Sequence, residues 1–231
     1  MFFLSTMVMA SISLAASLID GTGRWQHNIA QCWARMVLAL AGVKVSMSGL
    51  ENLTPGAAYV FCSNHLSLMD TPLMFGCVPW QFRTLAKNSL FRIPFLGWHL
   101  RRAGHLPIPR DGRPSIRSIT EAARRLTNGV SILIFPEGGR SEDGQMGEFL
   151  AGAAFIAIRG RVPVVPMCIL GTREIHRTGS LVVRPGRVIL RIGAPIAAQG
   201  ITRNAARRLL AEMRERVGVL LESASGSAPI V

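Results

Sequence analysis

Residues 58–75 read AYVFCSNHLSLMDTPLMF, and the order of elements they imply decides the fold. The run AYVFC is short, apolar and rich in strand-forming residues, and Ser63, Asn64 and His65 interrupt it. The following LSLMDTPLMF has the apolar spacing of a helix that begins near the histidine. His65 and Asp70 are five positions apart, which on one continuous helix would point them about 140° away from each other. They meet only if His65 sits in the turn before the helix and folds back over its start. Outward from this junction the pattern recurs: VKVSM (43–47), FRTLA (82–86), VSILIFP (130–136), VPVVPMCIL (162–170) and VILRIG (188–193) also read as strands, several followed by helix-like stretches. The alternation predicts an α/β chain with a largely parallel central sheet flanked by helices. In such sheets ligands bind beyond the carboxyl ends of the strands, and the polar motifs of this chain fall there.

Composition narrows the partners. The 231 residues carry 26 Lys and Arg against 13 Asp and Glu, a formal charge of +13, while 49% are hydrophobic. A basic field attracts nucleic acid, anionic lipid or a phosphorylated substrate, and the apolar content favours lipid. With aromatics at 6% and a single Tyr, the stacking residues of an RNA binder are scarce. An anionic membrane surface is therefore the expected partner, and nucleic acid is not. Cys32, Cys62, Cys77 and Cys168 form no CxxC pair and have no His at zinc spacing. They read as buried free thiols of a reducing compartment, with neither a disulfide framework nor a metal site. GxSxG, Walker, GxGxxG and HExxH motifs are absent, so serine-hydrolase, nucleotide-phosphate and zinc-protease chemistry lose their usual warrant.

The chain divides into residues 1–42, N-terminal helices; 43–222, one α/β domain; and 223–231, a flexible tail. Residues 1–19 hold no charge and approach the roughly 20 apolar residues of a bilayer span. They lack the basic n-region of a signal peptide, and a buried core helix is the alternative reading. Beyond a break at Asp20, Gly21 and Gly23, the segment from Arg24 onward places Trp25, Ile29, Trp33, Met36, Val37 and Leu40 at helical spacing. This amphipathic helix suits either the headgroup region of a membrane or a core. Near the C-terminus, Leu209, Leu210, Met213, Val217 and Leu220 line one side of a packing helix with a basic face.

Four segments carry candidate chemistry. A carboxylate on one imidazole nitrogen fixes the tautomer and stabilises the imidazolium formed when the other takes a proton, so His65 and Asp70 read as a base acting on a substrate hydroxyl. Helix capping by Ser63 or Asn64 is the structural alternative. FPEGGRS (135–141) offers glycines for close backbone approach, the Arg140 fork and the Ser141 hydroxyl, a phosphate cradle, or else a tight turn closed by a Glu137–Arg140 ion pair. LPIPRDGR (106–113) brings out Arg110 and Arg113 before a helix spanning about 115 to 128. VPVVPM (162–167) puts Pro163 and Pro166 in an apolar strand, which suggests an edge or strand end where a ligand passes.

In this order the four segments resemble the glycerolipid acyltransferase family that includes bacterial 1-acyl-sn-glycerol-3-phosphate acyltransferases. NHLSLMD fits the family's NHxSxxD, with Asn64 and Ser67 as supporting positions. LPIPR ends at Arg110, FPEGGRS stands against FPEGTRS, and VPVVP supplies Pro166. The likeness runs from about residue 43 to 195. It implies the glycerolipid acyltransferase fold with membrane-associated N-terminal helices, working at the cytoplasmic face of the inner membrane. The implied reaction moves a fatty acyl group from acyl-coenzyme A or acyl carrier protein to a lysophospholipid hydroxyl, with no cofactor or metal. By position, His65 and Asp70 become the catalytic dyad, and Arg110, Glu137, Gly138, Arg140 and Ser141 the acceptor-phosphate site. Gly139 stands where the family has threonine, and Leu150 and Ala151 where many relatives carry a lysine before the glycine. Both changes remove polar contacts on the acceptor side. They leave lysophosphatidic acid competing with another lysolipid, such as an ornithine lipid precursor, and a non-catalytic binder of anionic lipid or nucleic acid is the reading of another class.

Overall fold

The computed structural model describes every residue except Met1, Arg110, Glu142, Leu181, Arg203, Asn204 and 227–231. Seven strands, β1 (Val43–Ser48), β2 (Val60–Ser63), β3 (Phe82–Lys87), β4 (Leu106–Ile108), β5 (Ser131–Ile134), β6 (Val164–Leu170) and β7 (Gly186–Ile192), form one sheet in the order β1-β7-β6-β2-β5-β3-β4. All pairings are parallel except β6 with β7. The central β6, β2 and β5 are buried almost throughout, which is why they read as unbroken apolar runs.

Side chains alternate across these strands and separate two cores. Val60, Cys62, Ile132, Ile134, Val164 and Cys168 face one side. There they pack against α5 (Ile116–Thr127), α6 (Gly152–Gly160) and α8 (Ala206–Ser225). Phe61, Leu133, Val165, Met167 and Ile169 face the other, against α2 (Arg24–Leu40) and α3 (Asp70–Cys77). α8 buries Leu209, Met213 and Val217, the stripe its spacing predicts. It also extends through Ser225, so Ser223–Ser225 are helical rather than tail, with Ala224 buried. Residues 227–231 of the expected tail lie outside the described residues.

The N-terminal expectations need correction. α1 (Phe2–Ala16) has 15 residues, a rise of about 22 Å against roughly 30 Å of hydrocarbon. Among the described residues no helix is long and apolar enough to cross a membrane. α1 instead packs on α2 and on α4 (Leu96–Ala103), and it turns small residues inward: Ala10 and Ser13 are buried, as is Ser17 just after it, while Phe3, Leu4, Val8 and Ile12 face out. The break at Asp20 is a built cap. Its carboxylate accepts the Thr22 N–H and hydroxyl and the Trp25 N–H at 2.6–2.7 Å, and the Thr22 hydroxyl leads in lowering its pKa to about 2. α2 buries Gln26, His27, Ala34, Val37 and Leu38. Trp25, Met36 and Leu40, expected on its apolar stripe, are exposed.

Pro166 also departs from expectation, because β6 is an interior strand. β7 leaves the ladder beside it: Gly193 N–H donates to the Pro166 carbonyl at 2.8 Å, and pairing resumes only at the Val164–Ile196 bridge. The missing proline N–H falls at this interruption, where it costs no ladder bond. Of the four free cysteines, Cys62 and Cys168 are buried and Cys32 is exposed, against the reading of four buried thiols. Burial pushes both inner thiols up, Cys168 to about 11.

Candidate active site

β2 ends between β6 and β5, so the turn after it opens at the carboxyl edge of the sheet centre. His65 occupies that turn and Asp70 is the first residue of α3, the arrangement that lets residues five apart face each other. His65 Nδ1 lies 2.7 Å from Asp70 Oδ2. The same oxygen accepts the N–H of Leu66 at 2.6 Å and of Ser67 at 2.8 Å. Asp70 is fully buried and the His65 side chain is 17% exposed. With Oδ2 as acceptor, the hydrogen-bond network assigns the imidazole proton to Nδ1 and leaves Nε2 able to take one. Among the described residues Asp70 Oδ1 has no hydrogen-bond partner.

The surrounding residues hold this turn in place. Asn64 is not a helix cap: its side chain accepts the Ile169 N–H at 2.8 Å and donates to the Ile169 carbonyl at 2.9 Å, tying the end of β2 to β6. Ser67 donates to the His176 carbonyl at 2.7 Å and accepts the Met69 N–H at 3.2 Å. It thereby joins the turn to the end of α7 (Thr172–Ile175). Phe135, at the end of β5, stacks on the imidazole with ring centroids 4.1 Å apart and planes 15° apart. Phe135 and His176 had no assigned role in the sequence. The adjacency of FPEGGRS to a buried strand was the available signal for the first, and no local pattern pointed to the second.

The loop after β5 reaches the same histidine. Glu137 accepts the His65 N–H at 2.7 Å and the Gly147 N–H at 2.8 Å, while Ser141 N–H donates to the His65 carbonyl at 2.9 Å. Among the described residues no ion pair joins Glu137 to Arg140, so that reading of the turn is set aside. Burial is the main cause raising the Glu137 pKa, opposed by its two amide bonds. The Ser141 hydroxyl, expected to face a phosphate, is engaged in its own loop with Asp143 and the Gly144 N–H, each at 2.9 Å. Gly138 has φ +72° and a Cβ there would lie 2.7 Å from Leu150 Cδ1 and 3.1 Å from Gly112 Cα, so only glycine fits. This close approach brings the Asp111–Arg113 loop against FPEGGRS. The Arg110 assignment lies outside the described residues. Gly139 and Arg140 line an open depression of about 580 Å³ with Glu137, Ser141 and the 143–147 segment. A Cβ on Gly139 would meet nothing within 4 Å. Among the described residues no three His, Cys, Asp or Glu are grouped to hold a metal ion.

Comparisons with known proteins agree with this architecture. A family model described as acyltransferase matches residues 44–170. The chain is 35% identical over 196 residues to a chloroplastic 1-acyl-sn-glycerol-3-phosphate acyltransferase of Arabidopsis thaliana, covering 82% of this chain and 54% of that one. It is 27% identical over 209 residues to the 1-acyl-sn-glycerol-3-phosphate acyltransferase of Saccharomyces cerevisiae, covering 89% and 69%. The first relatives are longer: this chain spans about half their length. The crystal structure of the 1-acyl-sn-glycerophosphate acyltransferase from Thermotoga maritima superimposes with a TM-score of 0.81 at 26% identity, covering 99% of this chain and 95% of that one.

Proposed function

The chain belongs to the acyltransferase family, and from that premise we propose that it moves a fatty acyl group from acyl-coenzyme A or acyl carrier protein to the sn-2 hydroxyl of lysophosphatidic acid, giving phosphatidic acid for phospholipid biosynthesis. The relatives' names support the acceptor. The observation that carries the chemistry is the 2.7 Å His65–Asp70 contact at the open edge of the sheet. His65 Nε2 takes the proton of the acceptor hydroxyl as its oxygen attacks the thioester carbonyl. Asp70 stabilises the imidazolium through Nδ1. Collapse of the tetrahedral intermediate breaks the C–S bond, and the imidazolium returns the proton to the leaving thiolate. The substrate hydroxyl takes the place that an enzyme serine holds in a triad. Arg140, in a depression it lines together with Glu137, whose carboxylate accepts the His65 N–H, is the cation we assign to the acceptor phosphate, since its guanidinium can bind it bidentately.

The same proposal puts the chain at a membrane surface, on the cytoplasmic face of the inner membrane. Phe3, Leu4, Val8 and Ile12 on α1, with Leu18, Ile19 and Trp25 after it, leave apolar surface uncovered beside a chain of charge +13. Apolar side chains with nearby cationic residues favour an anionic bilayer interface. The empty space beside Gly139 favours one second reading, acylation of a lysolipid whose head group is not a phosphate monoester, such as a lyso-ornithine lipid.

Thiol release from acyl-coenzyme A, measured with lysolipids that differ only in head group, tests the reading. Lysophosphatidic acid should be the preferred acceptor, and His65→Ala should abolish release while the circular dichroism spectrum is unchanged. Full activity in that folded variant ends the assignment of the base, and preference for a phosphate-free head group ends that of the acceptor.

A further inference from the structure

The Glu137 carboxylate lies in the loop that carries Arg140, where a phosphate-binding role is the first reading. Its surroundings argue against that role. Both of its oxygens are taken by backbone amides, Oε1 by His65 N–H at 2.7 Å and Oε2 by Gly147 N–H at 2.8 Å. A carboxylate aimed at a phosphate would also add like-charge repulsion to the site. The bond at Oε1 has a counterpart on the other side of the same residue, where the Ser141 N–H donates to the His65 carbonyl at 2.9 Å. The backbone N–H and C=O of His65 are thus both held by one short loop, and its ring is held separately by Asp70 and Phe135.

We infer that Glu137 is a positioning residue for the base: bridging the amides of His65 and Gly147, it fixes the His65 backbone and folds the Pro136–Gly147 loop back on itself, without binding the acceptor. The inference rests on the acyl-transfer reading of His65. Gln at this position keeps the volume but offers a single carbonyl oxygen, so its NH2 group must face an amide N–H and one bridge bond is lost. Asp keeps the charge but is one methylene too short to span both amides. Either change lets the imidazole leave its attack geometry, and such misplacement costs turnover by about 10- to 100-fold.

The test compares E137Q, E137D and R140A with the unaltered protein, by acyl transfer from acyl-coenzyme A to lysophosphatidic acid and by NMR of the histidine ring protons, with H65A identifying the His65 signal. E137Q and E137D should both lose kcat by about 10- to 100-fold while the acceptor KM moves by no more than about threefold. Both should broaden or abolish the His65 Nδ1–H resonance. R140A should do the reverse, raising the acceptor KM and keeping the resonance. A raised acceptor KM in E137Q with kcat and resonance preserved makes Glu137 a ligand of the acceptor and overturns the inference, as does wild-type behaviour in E137D. If E137Q does not fold, E137D carries the same comparison. If the unaltered protein acylates no lysolipid, the proposed function fails, and the resonance alone still decides whether Glu137 holds the base.

Discussion

Asp70 and Arg83 are both ionic side chains with almost no exposed surface, at 0% and 1%, and α3 reaches both neighbourhoods: it begins with Asp70, and its Phe75 ring packs against His27 and His105. Their surroundings differ sharply. One oxygen of Asp70 accepts three bonds of 2.6–2.8 Å from a single turn. Among the described residues the Arg83 guanidinium reaches only the Phe82 carbonyl at 2.9 Å and, at 3.3 Å, the Gln81 side chain and the Thr22 carbonyl. Among the described residues its Nε has no partner and no carboxylate bonds to it. Around it lie His27, His99 and His105. Burial is the leading cause that lowers the pKa of all three, to about 4 for His27 and His99 and well below the usual value for His105, with the Arg83 charge contributing to each. Burial also lowers Arg83 itself to about 10, with Arg125 adding to the effect and Asp20 opposing it. A buried charge is costly unless hydrogen bonds replace its water. The turn that holds His65 meets that condition through Oδ2, whereas in the layer joining α1, α2 and α4 to β3 the Arg83 charge is met by two carbonyls and an amide side chain rather than by a carboxylate. The first arrangement specifies one geometry, and the second is sensitive to acid.

The contrast breaks most visibly at Asp70. Asp70→Asn keeps an oxygen able to accept from Leu66 and Ser67 but removes the charge that stabilises the imidazolium. Thiol release should fall by about 10³- to 10⁴-fold with melting temperature little changed. A loss below tenfold would show that the well-bonded turn is structural only. The next effect lies in the other cluster and appears as stability against pH. The folded histidines titrate below their ordinary 6.5, so the unfolded chain binds protons first as pH falls. Their stabilising contribution is complete above about 6.5 and is lost as pH falls towards about 4. His27, buried with its ring packed on Phe75 and Phe82, is the residue to replace. His27→Phe should recover about 2 kcal/mol of that acid loss in denaturant titrations run at successive pH values. An unchanged pH slope would place the acid sensitivity elsewhere.

The two regions also differ in how far the sequence announces them. The β2–α3 turn is legible because its determinants are local: an apolar run, a break and a helical pattern fix the topology, and the five-residue spacing then requires the fold-back that brings His65 to Asp70. The Asn64 bonds are not legible, because their partner Ile169 is 105 positions away and Asn before a helix is a common cap. The Glu137 bonds are not legible for a related reason. Its motif suggests an ion pair or a phosphate, but backbone amides, which leave no trace in a sequence, take both oxygens. The cluster around Arg83 gathers His27 from α2, His99 from α4 and His105 from the link before β4, with no motif among them. The apolar length of residues 1–19 likewise hides that Ser13 bonds to His99 Nδ1 at 2.7 Å and turns the small face of α1 inward.

In the proposed reaction His65 activates the acceptor hydroxyl directly, with no nucleophile supplied by the protein. Rapid mixing of the protein with acyl-coenzyme A, first without and then with lysophosphatidic acid, tests it most directly. Without acceptor there should be no burst of thiol and no acyl adduct by intact mass, and thiol release should start only when the lysolipid is added. A burst stoichiometric with the protein, together with a covalently acylated side chain, would contradict it.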